Sequence, residues 1–433
     1  MSIAWFPTSF PVWLASAGLA VTLAPVHGAV SAFEASASAS QQPTPPSPAP
    51  APIQSGPRVV LESLDGTSTT RALEGFATKD PRAVGGHVVR FEGLGSAVVP
   101  NGPDRAEVRL SGGERLHGPV RRGAGEALDV ELALGVHARA DLERIVSLTF
   151  AGRVPATWNA PLEPAREGDR LYRRKNDTIE RIDGGVEEFG ETGLKFHDTR
   201  IGTLEIAWAD VVALFVETAP ARAVTPSADA VPMEVDLIDK SRLIGTLERI
   251  DDHALRLVRA DGETIALPLA AVALAIVDDG KLVFLSDLEP TVAAPAAPFG
   301  DDLGMSWPHA RDASVAGTPL VVGGRTWARG LGVHAPSRVT YALDGSYTSL
   351  RGFVGVDDSV LRLSSHGSVR FRVLVDGKVR FESAVLSGGD APVAIVLEPK
   401  SLTGARELVL EADATPDAFV ADRADWLQLI LVR

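Results

Sequence analysis

The stretch Gly323 to Ser337, GGRTWARGLGVHAPS, sets Trp327, Arg329 and His334 close together between glycines, and Asp357 and Asp358 follow downstream. An aromatic face suits the apolar side of a pyranose, and charged donors and acceptors suit its hydroxyls. Arginine and carboxylate add charge-assisted hydrogen bonds that survive partial exposure. Trp327, Arg329, His334, Asp357 and Asp358 are therefore candidate carbohydrate-binding residues. Each also has a structural reading. His334 lies between Val333 and Ala335, as a core histidine would, and Asp357 and Asp358 precede Ser359, where they could cap a turn. Trp426 alternates with leucines in a final strand and reads as packing.

Catalytic constellations are missing. No Gly-X-Ser-X-Gly elbow occurs, and the nine histidines are scattered with no i, i+4 pair. With no cysteine there is no disulfide, thiolate metal site or cysteine nucleophile. Carboxylates are plentiful, but the repeats described below are too small for a glycosidase domain. The expectation is a binding protein, not an enzyme. Its 42 basic against 56 acidic residues give a net charge of −14, which repels phosphate backbones, so nucleic acid is not an expected partner. The densest basic run, Arg170, Arg173, Arg174 and Lys175, reads as a solvated loop.

These groups must be positioned by a chain of 433 residues, long enough for about three domains. Residues 10–32 lack Asp, Glu, Lys and Arg and end Ala-Val-Ser-Ala, so residues 1–32 read as an export signal. A retained membrane anchor is the alternative. Residues 33–57 are rich in Ala, Ser and Pro and read as a disordered linker. From 58 to 285 short apolar runs alternate with Gly, Asp and Asn, a β pattern. Ile179-Glu180-Arg181-Ile182-Asp183 recurs as Leu247-Glu248-Arg249-Ile250-Asp251, and related closing segments begin at 142, 208 and 269, spacings of 66 and 61 residues. That period predicts small consecutive β units. We expect a β region with degenerate repeats at 58–155 and small barrels at 165–217 and 232–285. Their order resembles Sm-like or SH3-like barrels, which would serve as spacer or docking modules. The stretch 209–216 is the best helical candidate and doubles as a strand.

From Ser286 to Arg433 the chain resembles the NPCBM family of carbohydrate-binding modules. The resemblance rests on the opening stretch, on Gly355-Val356-Asp357-Asp358, and on Ala424-Asp425-Trp426, in that order. It implies an all-β protein with a galactose-binding-like β-sandwich (jelly roll) at 286–433, preceded by the small β-barrel-like repeats. It also implies an accessory module on secreted bacterial proteins, with a galactose-type glycan or glycoconjugate as partner. Related sandwiches hold a structural calcium, for which Asp413, Asp417, Asp422 and Asp425 are candidate ligands without a spacing motif. Two other readings remain: an envelope scaffold whose sandwich contacts envelope proteins, and a glycosidase with a hidden site.

Overall fold

A computed structural model describes residues 56–95, 99, 102–176, 178–218, 229–293, 307–415 and 421–433. The export signal and nearly all of the linker lie outside these residues, as does Asp417. Among the described residues there are strands and short 3-10 turns and no α-helix.

The strand pairings repeat three times. In the first unit, Arg105–Leu110 pairs with Arg115–Ala124 and with the closing strand Ile145–Thr149, while Ala127–Glu131 and His137–Asp141 follow outward. The second unit, from Asp169–Lys175 to Val211–Phe215, and the third, from Pro232–Leu237 to Val272–Val277, pair in the same order. A 3-10 turn begins at Leu142, Trp208 and Leu269, just before each closing strand. These are the positions at which the sequence spacing places the closing segments. The stretch around 209–216 is thus a turn and the strand Val211–Phe215. Ahead of the first complete unit, Arg58–Glu62 pairs with Ser68–Ala72 and Val88–Glu92, a three-stranded piece without the five-strand order.

The structure moves the internal alignment. Ile179 opens the second strand of its unit, whereas Leu247 lies past the middle of the strand that corresponds to it. The equivalent tetrapeptides are Arg115-Leu116-His117-Gly118, Arg181-Ile182-Asp183-Gly184 and Arg242-Leu243-Ile244-Gly245, again 66 and 61 residues apart. The glycine is required at this position. A Cβ on Gly118, Gly184 or Gly245 would lie 1.9, 1.8 or 2.3 Å from a carbonyl oxygen of the adjoining third strand. A few residues later each of these strands carries a register shift, at Val120/Arg122, Val186/Glu188 and Leu247/Arg249. An extra residue in one strand of a pair bends it, so the long second strand can turn from one neighbour to the next.

The C-terminal part is two sheets packed on a core that includes Val333, Tyr341, Leu350, Phe371, Leu410 and Trp426. One sheet runs Ala310–Arg311, Gly330–His334, Arg423–Val432, Ser349–Val356, Val393–Leu397, and the other is formed by Val292–Ala293, Ser337–Ala342, Glu407–Ala414, Val369–Val375 and Lys378–Leu386. Trp426 is fully buried edge-on to Phe371, as its alternation with leucines implies. Leu282–Phe284 already pairs with the end of Arg423–Val432, so the sandwich begins before the expected boundary at 286.

The sandwich does not hang from the repeats on a tether. Val88, Leu274 and Ile276 of the repeat region form one apolar cluster with Leu282, Phe284, Ile430 and Val432. Beside it, the Arg329 guanidinium is 1% exposed and bonds Asp236, Glu234 and, at 2.6 Å, Asp287. Arg242 holds the same three carboxylates together with Asp312. Burial opposes charge on Asp236, and the two guanidiniums outweigh it, so its pKa lies below the usual range.

Two tests follow from this packing. Gly184→Ala should cost about 1–3 kcal/mol or more by overpacking, whereas Gly185→Ala, with nothing within 4 Å of its Cβ, should be nearly silent in chemical denaturation. Arg329→Ala, which strands buried carboxylates, should cost about 3–5 kcal/mol. Removing the half-exposed Arg433, paired with Asp344, should cost under about 1 kcal/mol. Equal effects within either pair would contradict the packing described.

Candidate functional site

Four of the five expected sugar contacts are used by the fold. Trp327 is 3% exposed and forms a small core with Leu320, Val322 and Leu427. Its ring meets Phe353 at 5.0 Å and carries the Arg325 guanidinium at 4.0 Å, so no aromatic face is left for a pyranose. Arg329 is committed to the carboxylates of the repeat seam. Asp357 accepts from Ser359 N at 3.0 Å and Val321 N at 3.1 Å, and Asp358 from Gly323 N and Gly324 N at 3.2 and 2.7 Å. The two aspartates fasten the hairpin of Leu320–Val322 and Arg325–Trp327 over the outer face of the sheet. Their turn-capping reading is the one the geometry carries.

Close approach explains Gly330 and Gly332 of the opening stretch, and Gly355 downstream. A Cβ on Gly332 would lie 2.4 Å from Val315 N and 2.5 Å from Ala313 O, and one on Gly355 would lie 2.3 Å from Val322 Cγ1. The loop and hairpin therefore press directly onto the strands.

Asp425 is sealed beneath this cover, across from Gly332 and Gly355. Burial, and then the neighbouring Asp357 carboxylate, push its pKa well above the ordinary value. The Asp425 carboxyl therefore favours its protonated form.

The three calcium candidates among the described residues, Asp413, Asp422 and Asp425, have separate partners. Asp413 pairs with Arg372 at 2.7 Å, Asp422 accepts from Ser368 N at 2.8 Å, and Asp425 faces Asp357. Among the described residues no group of three His, Asp or Glu could hold a metal ion. Their partners differ because Asp422 precedes the strand that begins at Arg423, and Asp425 points to the covered face.

His334 is different. It ends Gly330–His334, opposite Arg423 at the start of the last strand. Trp307, which sequence reasoning passed over, stacks on it with centroids 4.4 Å apart and planes 15° from parallel, and remains partly exposed. The strand Ala310–Arg311 runs antiparallel to Gly330–His334 and carries the preceding Trp307 past the histidine. Burial, assisted by Arg423, lowers the His334 pKa, so the imidazole is neutral at pH 7. Its Nδ1 lies 2.7 Å from Ala335 O and so holds the proton as donor. Nε2 is then an acceptor and has no partner among the described residues. Arg423 is half-buried and donates to Ser359 Oγ at 2.8 Å. Asp422, whose carboxyl is pushed by burial to about 6, lies next along the chain. An aromatic surface, a neutral acceptor and a guanidinium donor thus meet at one end of the sandwich, an arrangement suited to a ring bearing hydroxyls.

Residues 281–432 form an NPCBM/NEW2 domain. A curated relative, alpha-1,3-galactosidase B of Akkermansia muciniphila, is 34% identical over 120 residues, 27% of this chain and 14% of that protein. The chain thus spans a small part of the length of this relative. Among solved structures, a CBM51 module from Clostridium perfringens GH95 in complex with methyl-galactose is 25% identical with a TM-score of 0.30, covering 35% of this chain and 99% of that one. CBM51-2 with the INT domains of Clostridium perfringens ZmpB, in complex with GlcNAc, is 20% identical with a TM-score of 0.31, covering 56% and 44%. The NPCBM/NEW2 domain begins at 281 and so includes the strand Leu282–Phe284.

The basic run near 170 is a strand and not a loop. Arg170 and Arg173 hold Asp183 and Glu180, and Arg173, Arg174, Lys175 and Asn176 line a cavity of about 330 Å³ with Glu205 and Asp210.

The buried acid pair sets a pH dependence. Asp425 keeps its proton in the fold and loses it when unfolded. The stability it supports is fully present below the ordinary pKa of 3.8 and is lost as pH rises through the elevated folded value. Asp425→Asn replaces this carboxyl by an amide that does not ionise. It should flatten the decline of Tm with rising pH and raise Tm at pH 7 by about 2–4 °C per kcal/mol recovered. An unchanged pH profile would refute a protonated Asp425.

Proposed function

We propose that the protein is an exported, non-catalytic carbohydrate-binding protein whose NPCBM/NEW2 domain takes a galactose-type or related glycan where Trp307, His334 and Arg423 meet. The observation that carries this reading is the partly exposed Trp307 stacked on a neutral histidine whose Nε2, an acceptor, has no partner among the described residues. The apolar face of a pyranose lies against Trp307, one hydroxyl donates to His334 Nε2, and another accepts from Arg423. Support for a galactose-type sugar comes from the relative named as an alpha-1,3-galactosidase, which matches 120 residues of this chain. The uncharged segment 10–32 supports export. The NPCBM/NEW2 match lies wholly in the binding part of the chain, which supports a role in recognition over hydrolysis. The repeats hold the domain rigidly and present its free end away from the seam at Arg329.

Calorimetric titration of the full chain with galactose and with galactose-, glucose- and mannose-ended oligosaccharides tests this. Saturable binding is expected for at least one galactose-ended ligand, weakened about tenfold or more by Trp307→Ala, since a stacked aromatic surface contributes on the order of 1–3 kcal/mol. Trp327→Phe, altered only in the small buried core, should bind as the parent does. Absence of heat from a folded chain with every sugar would overturn the reading.

A further inference from the structure

The repeat units meet one another through equivalent residues. Arg115 of the first unit and Arg242 of the third open the same repeated tetrapeptide, and they lie directly opposite each other in an antiparallel pairing. The contacts beside them are exchanged. His117 N donates to Ser241 Oγ at 2.8 Å, and Ile244 N, in the place of His117, donates to Glu114 Oε1, in the place of Ser241, at 3.4 Å. Each unit also lays the link between its first two strands on the turn between the other's third and fourth. Arg259 thus meets Glu114 at 3.0 Å, and Ala133 N donates to Asp239. The two units are related by a local two-fold axis beside Arg115 and Arg242.

Closing strands meet in the same manner. Leu148 and Leu214, one repeat apart, lie opposite each other between the first and second units. The closing strand of the third unit pairs with Val88–Glu92 of the N-terminal piece, Ala275 opposite Val89. The order of contact is therefore N-terminal piece, third, first, second, with the two kinds of contact alternating. At one end of this row the N-terminal piece turns the link between its first two strands to the sandwich, where Arg351 reaches Glu62 and the carbonyls of Ser63 and Leu64. The second unit is the other end. Among the described residues its Arg181, the equivalent of Arg115 and Arg242, pairs with no other unit. Arg115 and Arg242 are partly buried, whereas Arg181 and Asp183 are exposed. Ile201, in the turn between the third and fourth strands of the second unit, is 69% exposed, the most of any large apolar residue described.

We propose that two copies of the protein pair through their second units about a two-fold axis at Arg181, repeating between chains the contact that the first and third units make within one. A surface that meets its own equivalent is what a two-fold dimer requires. In that register Asp183 stands diagonally opposite the partner's Arg181, so each arginine has a carboxylate from the other copy within reach. The link between the first two strands, 173–180 here against 110–114 and 237–241 in the other units, lies on the partner's turn and covers Ile201.

Sedimentation of the full chain across a range of concentrations should show a reversible monomer–dimer equilibrium. Ile201→Glu, at an exposed position outside the core, should weaken the dimer about tenfold or more, as expected for a charge placed in the contact. The chain has no cysteine, so Arg181→Cys gives each copy a single thiol at the axis. Directly opposed residues of antiparallel strands have Cα atoms about 4.5–5.5 Å apart, within reach of a disulfide. Mild oxidation should therefore cross-link Arg181→Cys well ahead of Val396→Cys, an exposed position on a strand of the sandwich. A chain that stays monomeric at every concentration would overturn the inference. So would a dimer that Ile201→Glu leaves as tight as before, or one in which Arg181→Cys links no faster than Val396→Cys.

Discussion

The arrangement of this molecule depends on a buried guanidinium. Arg329 projects from the sandwich into carboxylates of the third repeat and of the segment that joins them. Such a cluster is costly to desolvate and tolerable only when every charge is met, which makes it specific in geometry even where its net contribution to stability is small. The apolar cluster around Phe284 and Ile430 supplies non-directional adhesion beside it, with the guanidinium 4.5 Å from the Phe284 ring centre. The first repeat is tied to the third by the same means: Arg259, fully buried, meets Glu114, Asp261 and Glu263 and also donates to the Arg139 carbonyl of the first repeat's outer strand. Charged seams thus join the sandwich to the third repeat and the third repeat to the first.

The seam also orients the sandwich. Arg329 precedes Gly330–His334, so the strand whose start is fixed to the repeats delivers His334 at its other end. The outer face between these ends is closed by the hairpin that Asp357 and Asp358 hold down, with Asp425 sealed under it. At the other strand end Trp307, Arg423 and the 359–368 segment gather. Most described polar groups of this sandwich are spent on assembling it, whereas His334 Nε2 has no partner among the described residues.

Much of the architecture could be read from the sequence, because closing segments and sandwich motifs are local patterns. The spacing of 142, 208 and 269 reports the 3-10 turn before each closing strand. The apolar alternation around Trp426 reports its burial. The Arg-Leu/Ile-X-Gly repeat was equally present, but it was masked by the more similar Ile179–Asp183 and Leu247–Asp251 strings, which occupy different places in their strands. The site was less legible for a physical reason. Arg329 looks like a ligand-binding residue until its partner Asp236, 93 residues away, is known. Trp327 looks like a sugar platform until the hairpin closes on it. Trp307 sits beside Pro308 in a stretch without periodicity, and only the pairing of Ala310–Arg311 brings it over His334. Residue types name the chemistry available, and tertiary contacts decide which groups are already taken.

The measurement that bears most directly on this account is a crystal structure of the chain grown with a saturating methyl galactoside. The account requires a sugar ring against Trp307, with one hydroxyl within hydrogen-bond distance of His334 Nε2 and another near Arg423. A sugar seated elsewhere, for instance in the cavity beside Arg174, or a strand end left empty at saturation, would contradict it.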